Sequence, residues 1–402
     1  MNILLGVTGS ISAYKALDLC RGLTKASHNV RVILTRGACE FVQQNAFHYL
    51  GAEKVYSSQD DFSLNQYESS TRVLHIDLVK WCDKLIIAPA SANTVSKLSH
   101  GLCDDLLSST FLALGEKPCL IFPAMNTQML KHSIIQENLQ RLESLQNVFI
   151  HPTKTGELAC GDIGAGKLPD VDLLIEMCPV ISLTKTKKVV LITTGATISP
   201  LDPVRFLTNP SSGKTGFEFA KTYLKNGYKV VLIYGHNSDP RIQYFKHVPN
   251  IETIQAITTN QMKDSVHKYF DSCDLYISTA AMSDIEFPIS KHKIKKSSMN
   301  KTLNFTTAPD VLASVLEKKK HQKIIGFAAE TNATSEVFLE KWNRKPVDLL
   351  IGNIVNNGTT DNPSGFGIDE NKYFFIKDGK VQETKLLTKT ALSEYVIREI
   401  HD

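Results

Sequence analysis

The sequence lacks several features that would assign the protein to a familiar class. No apolar run approaches the roughly 20 residues of a membrane-spanning helix, so we expect no membrane partner. The eight cysteines lie far apart without a CxxC pair, which argues against a zinc ribbon or a disulfide framework. The chain begins MNI and enters an apolar run at once, so we expect no signal peptide. Reduced thiols and a cytoplasmic location are therefore predicted.

Clustered charge and the common nucleotide motifs are also missing. The formal net charge is +4, and the longest basic run is KHKIKK at residues 291–296, which by default is a solvated surface. We therefore expect no nucleic-acid partner. No GxGxxG motif is present, so the dinucleotide fingerprint is absent. The stretch SSGKT at 211–215 is not a P-loop, because Thr208 stands where that motif needs glycine.

The sequence does contain a regular alternation of apolar runs and helical patterns. With 402 residues it predicts two domains, which we place at 1–179 and 189–402 with a polar linker at 180–188. In the first half, the predicted strands are 3–9, 30–34, 84–90, 119–124 and 147–151. In the second half they are 189–195, 229–235, 274–279, 323–327 and 347–353, with a hairpin turn at 378–379. We predict an α/β protein with two doubly wound parallel sheets.

Polar and small residues follow several of the predicted strands of the first half. They are Gly9 and Ser10, Thr35, the segment 91–94, and Asn126. Ligands of doubly wound sheets bind at the carboxyl ends of the strands, where all these residues fall. Each has an ordinary alternative as a helix N-cap, and only their convergence favours a binding site.

Residues 153–170 predict a glycine-rich mobile loop with a single thiol. Four glycines surround Cys160, and glycine permits backbone angles that other residues avoid. Long loops inside compact proteins are usually functional. A flexible linker with an incidental cysteine is the alternative, and this stretch alone does not decide between them.

Motifs in the first half resemble the homo-oligomeric flavin-containing cysteine decarboxylases. They are GSISAYK at 9–15, His75, APASANT at 88–94, PAMN at 123–126 and ACGDIGAGK at 159–167. They are most similar to the phosphopantothenoylcysteine decarboxylase half of the bacterial bifunctional coenzyme A enzymes. The resemblance implies a flavodoxin-like flavoprotein domain with FMN at Gly9, Ser10, Ser12, Thr35, Ser91, Asn93 and Thr94.

The resemblance also implies a chemistry. Loss of CO2 from a cysteinyl carboxylate leaves a carbanion without an electron sink, and a flavin supplies one by first oxidising the thiol carbon. Cys160 is then expected to return a proton. Asn126 is expected to hold the substrate near its carboxylate, and His75 to orient or activate the substrate for the flavin step. Without the resemblance, a lone histidine is more often structural.

The second half resembles phosphopantothenate–cysteine ligase, the partner activity of the same enzymes. The signature DPVRxxxNxSSGxxG spans 202–216, and AAMSD, KIKK, APD, GFAAET and RKPVDLL follow in the family's order. The resemblance implies a CTP-dependent ligase domain. The CTP site is expected at Ser278, Thr279, Ala280, Asp284, Lys293, Pro309, Asp310, Val311, Leu312, Phe327, Lys341 and Lys345.

In that family CTP activates a carboxylate as an acyl-cytidylate, which the cysteine amine then attacks. Because this chemistry concentrates negative charge, Lys293 and a divalent cation, Mg²⁺ or Mn²⁺, are expected near the phosphates. We expect the cation near Asp284. Asn209 is expected to act on the acyl intermediate, and Arg205 to contact substrate. A solvated helix edge is the alternative for Lys341 and Lys345.

The sequence departs from both families in places. Ser12 stands where alanine is usual, and Lys167 replaces a usual arginine. In the second half, Ala196 and the pair Ile198–Ser199 replace a proline and an Arg-Glu pair, and MSDI at 282–285 replaces VADY.

The combined resemblance implies two consecutive steps of coenzyme A biosynthesis. Phosphopantothenate is joined to cysteine with CTP, and the product is decarboxylated with FMN to phosphopantetheine. A homo-oligomer is expected, with trimer-based flavin domains that exchange His75 across an interface and ligase domains in dimers. Two alternatives stay open: a flavin-binding regulatory subunit without turnover, and a nucleotide-dependent oxidoreductase.

Overall fold

The structure is a computed structural model that describes residues 1–58, 60, 73–159, 161–183, 187–295, 302–331, 334–355 and 367–401. The chain forms two compact units. One is Met1–Leu183 with His247–Pro249, and the other is Thr184–Lys246 with Asn250–Asp402.

The first unit is built on a six-stranded parallel sheet. Its strands are β1 (Asn2–Val7), β2 (Asn29–Leu34), β3 (Lys54–Ser57), β4 (Lys84–Ala90), β5 (Cys119–Pro123) and β6 (Val148–Ile150), in the order β3-β2-β1-β4-β5-β6. The predicted doubly wound parallel sheet is confirmed. Of the two common windings, the sheet has the Rossmann order rather than the 2-1-3-4-5 order of flavodoxin.

Helices of the first unit alternate with these strands. They are α1 (Lys15–Lys25), α2 (Arg36–Cys39), α3 (Gln44–Tyr49), α4 (Leu74–Trp81), α5 (Ala92–His100), α6 (Leu106–Ala113), α7 (Thr127–Lys131), α8 (Ser133–Glu143) and α9 (Val171–Met177), and a 3-10 turn at Ile11–Tyr14 precedes α1. In α1, apolar residues three and four positions apart place Leu19 and Leu23 in the core. β4 is buried along its whole length, as a central parallel strand must be. β3 (KVYS) was not predicted, because its run is short and half polar.

The glycine-rich segment predicted as a mobile loop is largely a two-stranded ribbon. β7 (Lys154–Glu157) and β8 (Ile163–Lys167) pair antiparallel, with Gly156 opposite Gly164. At the turn, N of Leu158 donates to O of Asp162 at 2.8 Å. Paired strands satisfy backbone groups that an open loop would leave to water, so the arms of the segment are ordered. Cys160 lies outside the described residues.

The end of the first unit overlaps the predicted linker. Val180 and Ile181 are buried, although we placed them in a polar linker. Nζ of the buried Lys84 donates to O of Cys178 at 2.7 Å and to O of Ile181 at 2.6 Å. The ammonium thereby satisfies the carbonyl of the residue that caps the end of α9 and that of a residue in the segment that follows it.

The second unit has an eight-stranded sheet and small two-stranded pairings. The strands are β9 (Val189–Thr194), β10 (Ile198–Pro200), β11 (Phe206–Thr208), β12 (Lys229–Tyr234), β13 (Ile251–Gln255), β14 (Leu275–Ser278), β15 (Ile285–Glu286), β16 (Thr306–Thr307), β17 (Lys323–Glu330), β18 (Leu349–Ile354), β19 (Glu370–Asn371), β20 (Phe374–Lys377), β21 (Lys380–Glu383) and β22 (Leu387–Thr388). The main sheet has the order β13-β12-β9-β14-β17-β18-β20-β21. Its first six strands are parallel and repeat the Rossmann winding of the first unit.

Helices of the second unit include α10 (Lys214–Lys225), α11 (Thr259–Phe270), α12 (Val311–Leu316), α13 (Ser335–Arg344) and α14 (Lys389–His401), and a 3-10 segment spans Pro240–His247. The predicted hairpin joins β20 to β21, and Asp378 and Gly379 have φ of 50° and 73°. Both values suit a type I′ turn, which explains the Asp-Gly sequence. Within the described parts of the chain, no helix combines the length and apolar character needed to cross a bilayer.

Candidate active sites

The winding of the first sheet reverses between β1 and β4, and a buried threonine joins the two strand ends there. Oγ1 of Thr8 donates to O of Pro89 at 2.7 Å and accepts from N of Ser91 at 2.8 Å. Thr8 is fully buried. The chain leaves both strands at this point and opens a crevice between them, which is where doubly wound sheets bind ligands. Thr8 was not among the predicted site residues.

A cavity of about 600 Å³ opens at this crevice. Its lining combines the turn after β1, the start of α5, the loop after β5 and the ribbon. The lining residues are Gly9, Ser10, Ile11, Ser12, Tyr14, Lys15, Ser91, Ala92, Ala124, Met125, Asn126, Met129, Glu157, Leu158, Ala159, Gly166, Lys167 and Leu168. The volume is that of a site for a cofactor or a small substrate.

Three predicted residues are helix caps and also line this cavity. Oγ of Ser10 accepts from N of Ser12 at 3.4 Å, and Oγ of Ser91 accepts from N of Thr94 at 3.4 Å. Oδ1 of Asn126 accepts from N of Gln128 at 2.8 Å. The capping alternative and the binding-site prediction are therefore compatible. The caps fix these polar groups at the cavity wall.

Two close backbone approaches shape the cavity and explain why glycine occupies those positions. A Cβ on Gly9 would lie 2.9 Å from Cα of Gly37, and one on Gly166 would lie 2.1 Å from O of Met125. Gly166 also has a φ of 128°, which favours glycine. Its O accepts from N of Met125 at 3.0 Å, so the ribbon is fixed to the loop after β5.

Four other predicted residues of the first unit do not line the cavity. Thr35 is buried and caps α2 through N of Ala38. Thr94 is buried with its Oγ1 3.2 Å from Oγ of Ser91, whereas Asn93 is exposed on α5. His75 is half-buried in the first turn of α4.

The lining suits the predicted flavin. The cavity offers an apolar wall, three serine hydroxyls and the N-terminus of the nine-residue helix α5. Helix N-termini and hydroxyls bind phosphate well. The charged lining residues are two cations, Lys15 and Lys167, and one anion, Glu157. A compound with both an apolar body and a phosphate therefore fits this lining.

The second sheet reverses its winding between β9 and β14, and two neighbouring cavities open there. N of Thr279 donates to O of Thr193 at 3.0 Å, and N of Ala281 donates to O of Gly195 at 2.8 Å, so the two strand ends are joined. The larger cavity measures about 670 Å³ and the smaller about 160 Å³. Both cavities are lined by Ala281, Phe327, Ala328 and Ala329.

The larger cavity brings together six of the predicted ligase residues. These are Asn209, Asp284, Leu312, Phe327, Lys341 and Lys345. Arg344, which was not predicted, lines it as well. Thr279 and Ala280 line the smaller cavity, whereas Ser278, Pro309 and Val311 line neither.

Both predicted lysines of the larger cavity are ion-paired. Lys341 pairs with Glu330, and Lys345 pairs with Asp310. Burial would raise the pKa of Asp310, but the amide of Ala313 and the Lys345 ammonium hold this pKa below its ordinary value. Each lysine is thus fixed at the cavity by a carboxylate, and its charge is partly balanced before any ligand binds.

Asn209 is fixed to the loop after β14. Its Nδ2 donates to O of Met282 at 3.1 Å and to O of Ala281 at 3.3 Å. Arg205 does not line either cavity. Its guanidinium binds Asp202, with Nη2 2.6 Å from Oδ2, and donates to O of Ile294 at 2.6 Å. Arg205 thus holds the segment that contains Lys293.

Lys293 itself is exposed and lines neither cavity. The expectation of Lys293 at the phosphates rested on the family resemblance, since an exposed basic run has no local signal that distinguishes a ligand-binding lysine.

The smaller cavity contains residues that the site prediction missed. Ser211, Ser212, Gly213 and Lys214 lie at the N-terminus of α10, and Lys389 begins α14. Burial lowers the pKa of Lys389, and its Nζ donates to O of Ile368. Lys214 pairs with Asp369 at 2.7 Å. The motif SSGKT gave a signal for this helix N-terminus, but nothing in the sequence pointed to Lys389.

Among the described residues, the carboxylates that line the larger cavity are Asp284 and Glu330, and Glu330 is paired with Lys341. Asp284 lines the larger cavity and is exposed. Across the residues that the structure describes, no group of three or more His, Cys, Asp or Glu side chains is arranged to hold a metal ion. A cation near Asp284 would therefore need ligands from a substrate or from water.

Sequence comparisons match both halves to known families. The family described as Flavoprotein matches residues 1–180, and the DNA/pantothenate metabolism flavoprotein C-terminal domain matches residues 185–402. The coenzyme A biosynthesis bifunctional protein CoaBC of Bacillus subtilis (strain 168) is 36% identical over 406 residues, which cover 99% of this chain and 96% of the relative. The protein of that name from Escherichia coli (strain K12) is 34% identical over 411 residues, which cover 98% of this chain and 97% of the relative.

A solved structure of a PPC decarboxylase mutant complexed with pantothenoylaminoethenethiol has 32% identity and a TM-score of 0.41, covering 44% of this chain and 95% of that chain. The similarity to the two full-length relatives extends over nearly the whole sequence.

Proposed function

The chain belongs to the family of bifunctional coenzyme A biosynthesis proteins, and from this premise we propose how its two halves divide the work. It is an enzyme of two consecutive steps, ligation of 4′-phosphopantothenate with cysteine and decarboxylation of the product. We assign decarboxylation to residues 1–179 and ligation to residues 189–402. The observation that carries this assignment is that the Flavoprotein family matches residues 1–180 and the other family matches residues 185–402, and each half has a cavity at the switch point of its own sheet.

The decarboxylase half holds FMN in the cavity between β1 and β4. Ser10, Ser12 and Ser91, at the turn after β1 and the start of α5, would hold its phosphate, and the apolar lining would accommodate its ring. Bound flavin supplies reversible oxidation of the substrate's thiol-bearing carbon. The cavity lining includes one anion, Glu157, and two cations, Lys15 and Lys167, so its net charge is positive. This charge favours a phosphorylated substrate.

Three side chains handle the substrate. Asn126, fixed as the cap of α7, orients the cysteinyl carboxylate through hydrogen bonds. Cys160, which falls between β7 and β8 in the sequence, delivers the proton to the carbon that has lost CO2. His75 orients the substrate thiol and does so from a neighbouring subunit. We therefore expect a homo-oligomer, with trimer-based decarboxylase halves and ligase halves in dimers.

The ligase half holds CTP across the two neighbouring cavities of the second sheet, which share lining residues. Lys341, Lys345 and Arg344 neutralise charge in the larger cavity. The N-terminus of α10 and the neighbouring Lys214 favour phosphate in the smaller one. Asp284 would hold a divalent cation, Mg²⁺ or Mn²⁺, which would supply neutralising charge for the phosphates, and Asn209 faces the acyl-cytidylate formed from the substrate carboxylate.

Separate assays of the two halves test this division. With supplied phosphopantothenoylcysteine, Cys160→Ser is expected to release CO2 without forming phosphopantetheine. Asn209→Ala is expected to release pyrophosphate from CTP but to form the cysteine adduct slowly. Full product formation by Cys160→Ser would contradict the proton-delivery role. A purified protein that neither contains nor takes up flavin would contradict the decarboxylase assignment. A cytoplasmic location stays a prediction.

A further inference from the structure

Four buried hydroxyl groups surround the backbone on both sides of Asp284. They belong to Thr197, Ser199, Thr259 and Ser283, whose exposed fractions are 0%, 2%, 2% and 7%. Thr197 and Ser199 lie after β9, and Thr259 begins α11, so segments distant in sequence converge on one loop. A buried polar cluster of this kind is stable only when its members satisfy one another.

The two threonines hold the residue that precedes Asp284. Oγ1 of Thr197 accepts from N of Ser283 at 2.7 Å and lies 2.9 Å from Oγ1 of Thr259. Oγ1 of Thr259 donates to O of Ser283 at 3.3 Å. Both main-chain polar groups of Ser283 are therefore bound to buried threonine hydroxyls.

The two serines hold the residue that follows Asp284. Oγ of Ser199 lies 2.8 Å from Oγ of Ser283 and 2.5 Å from O of Ile285. Oγ of Ser283 lies 3.0 Å from the same carbonyl. Since each hydroxyl has one proton to donate, the two serines share these contacts between them. O of Asp284 itself accepts from N of Ala308 at 2.9 Å.

Ser199 and Ser283 are also two of the positions at which the sequence departs from the family that it resembles. Their hydroxyl oxygens lie 2.8 Å apart, so the two departures fall at one place in the fold. Asp284, the residue that follows Ser283, lines the larger cavity. The hydroxyl network thus fixes the place from which this carboxylate reaches the cavity.

We propose that Thr197 and Ser199 are positioning residues that set the Asp284 carboxylate for the nucleotide-dependent step of ligation. The proposal rests on the ligase function proposed above. A carboxylate that acts on a bound nucleotide has to be held within about 0.5 Å of its working position, and a satisfied buried network provides such support. Neither residue touches the substrate in this account; both act through Asp284.

The test is a double-mutant cycle between Thr197→Val and Asp284→Asn in the full chain, measured as CTP-dependent pyrophosphate release. Valine keeps the shape of threonine but leaves N of Ser283 without its acceptor. Thr197→Val is expected to lower kcat/KM for CTP about tenfold. In the Asp284→Asn background, Thr197→Val is expected to lower kcat/KM for CTP by less than about twofold. Thr197→Ser keeps the hydroxyl and is expected to restore the rate, and Ser199→Ala is expected to behave like Thr197→Val.

Thr222→Val is the matched control, because its buried hydroxyl lies 2.6 Å from Oγ of Ser393 in the same unit and away from Asp284. An equal loss in this control would indicate general weakening of the unit and overturn the proposal. If Thr197→Val still lowered kcat/KM tenfold in the Asp284→Asn background, the positioning proposal would be overturned, while the assigned role of Asp284 would stand. An unchanged rate for Asp284→Asn by itself would overturn both the proposal and the assigned role of Asp284.

Discussion

Oγ1 of Thr8 and N of Ser91 lie 2.8 Å apart, and this bond joins the end of β1 to the start of α5. The same hydroxyl donates to O of Pro89, so one fully buried side chain fixes the spacing of two strand ends. Ser91 is at once a helix cap and part of the cavity wall. The shape of the flavin cavity therefore depends on a residue that does not line it.

Thr8→Val is expected to weaken flavin binding. It leaves N of Ser91 and O of Pro89 buried without their partner, at a cost of about 1–3 kcal/mol, part of which appears as lost flavin affinity. Titration of the flavin-free protein with FMN, followed by the change in flavin absorbance, measures the effect. Thr110→Val is the control, since that buried hydroxyl donates within α6 to O of Leu106 at 2.6 Å. Equal affinity for Thr8→Val and the wild type would contradict the role of Thr8.

Lys167→Met is expected to lower the preference for phosphorylated substrate. Lys167 lines the cavity, and its side chain lies against Gly156 on the facing strand. The ratio of kcat/KM for phosphopantothenoylcysteine to that for pantothenoylcysteine should fall about tenfold, because a charge-assisted bond is lost.

Lys154→Met is the control for this change. Lys154 is on the same ribbon but pairs with Asp170 at 2.6 Å and does not line the cavity. If both substrates slow equally with Lys167→Met, the lysine acts on a part of the substrate other than its phosphate.

Lys345→Met is expected to raise the KM for CTP about tenfold with a smaller change in kcat. The lysine lines the larger cavity and is set there by Asp310. Pyrophosphate release at varied CTP concentration measures this. Lys319→Met is the comparison, because Lys319 pairs with Asp348 at 2.7 Å away from both cavities. A rise in KM of the same size in Lys319→Met would show that the effect is not specific to the cavity.

Acid is expected to weaken the ligase half through Asp202. Burial would raise the pKa of this carboxyl, but Arg205 and the amides of Val204, Ile294 and Arg205 hold it well below its ordinary value. Because the folded pKa is the lower one, the stabilisation is present above about pH 4 and is lost as the pH falls toward the folded value.

Residual ligase activity after heating, compared between about pH 6 and about pH 3.5, measures this loss. Asp202→Asn lacks the titrating carboxyl group, so its residual activity should differ less between the two pH values than that of the wild type. An identical pH dependence in the variant and the wild type would rule out this source of acid sensitivity.

The sheets were predictable because their strands are unbroken apolar runs. β1, β4 and β9 are buried along nearly their whole length, and short unbroken apolar runs are typical of the buried strands of a parallel sheet. The strand ends then located Ser10, Ser91 and Asn126 correctly at the switch-point cavity. Short or half-polar strands such as β3 and β13 were missed, because their stability comes from neighbours distant in the sequence.

The second site was predictable only in part. Asp284 and Lys345 follow from motifs, but Lys389 reaches the smaller cavity from the start of the last helix through tertiary packing alone. The ribbon was missed as well, since four glycines indicate freedom locally while Gly166 is in fact held against Met125. Contacts between segments far apart in sequence produce no hydrophobic periodicity from which they could be predicted.

The central claim is that one chain performs both steps, and a single reaction tests it. The purified protein is mixed with 4′-phosphopantothenate, cysteine, CTP and Mg²⁺, and pyrophosphate, CO2 and phosphopantetheine are measured together. The account predicts that all three form in equal amounts and that phosphopantothenoylcysteine does not accumulate. Pyrophosphate without CO2 would contradict the decarboxylase half, and the absence of all three products would contradict the account as a whole.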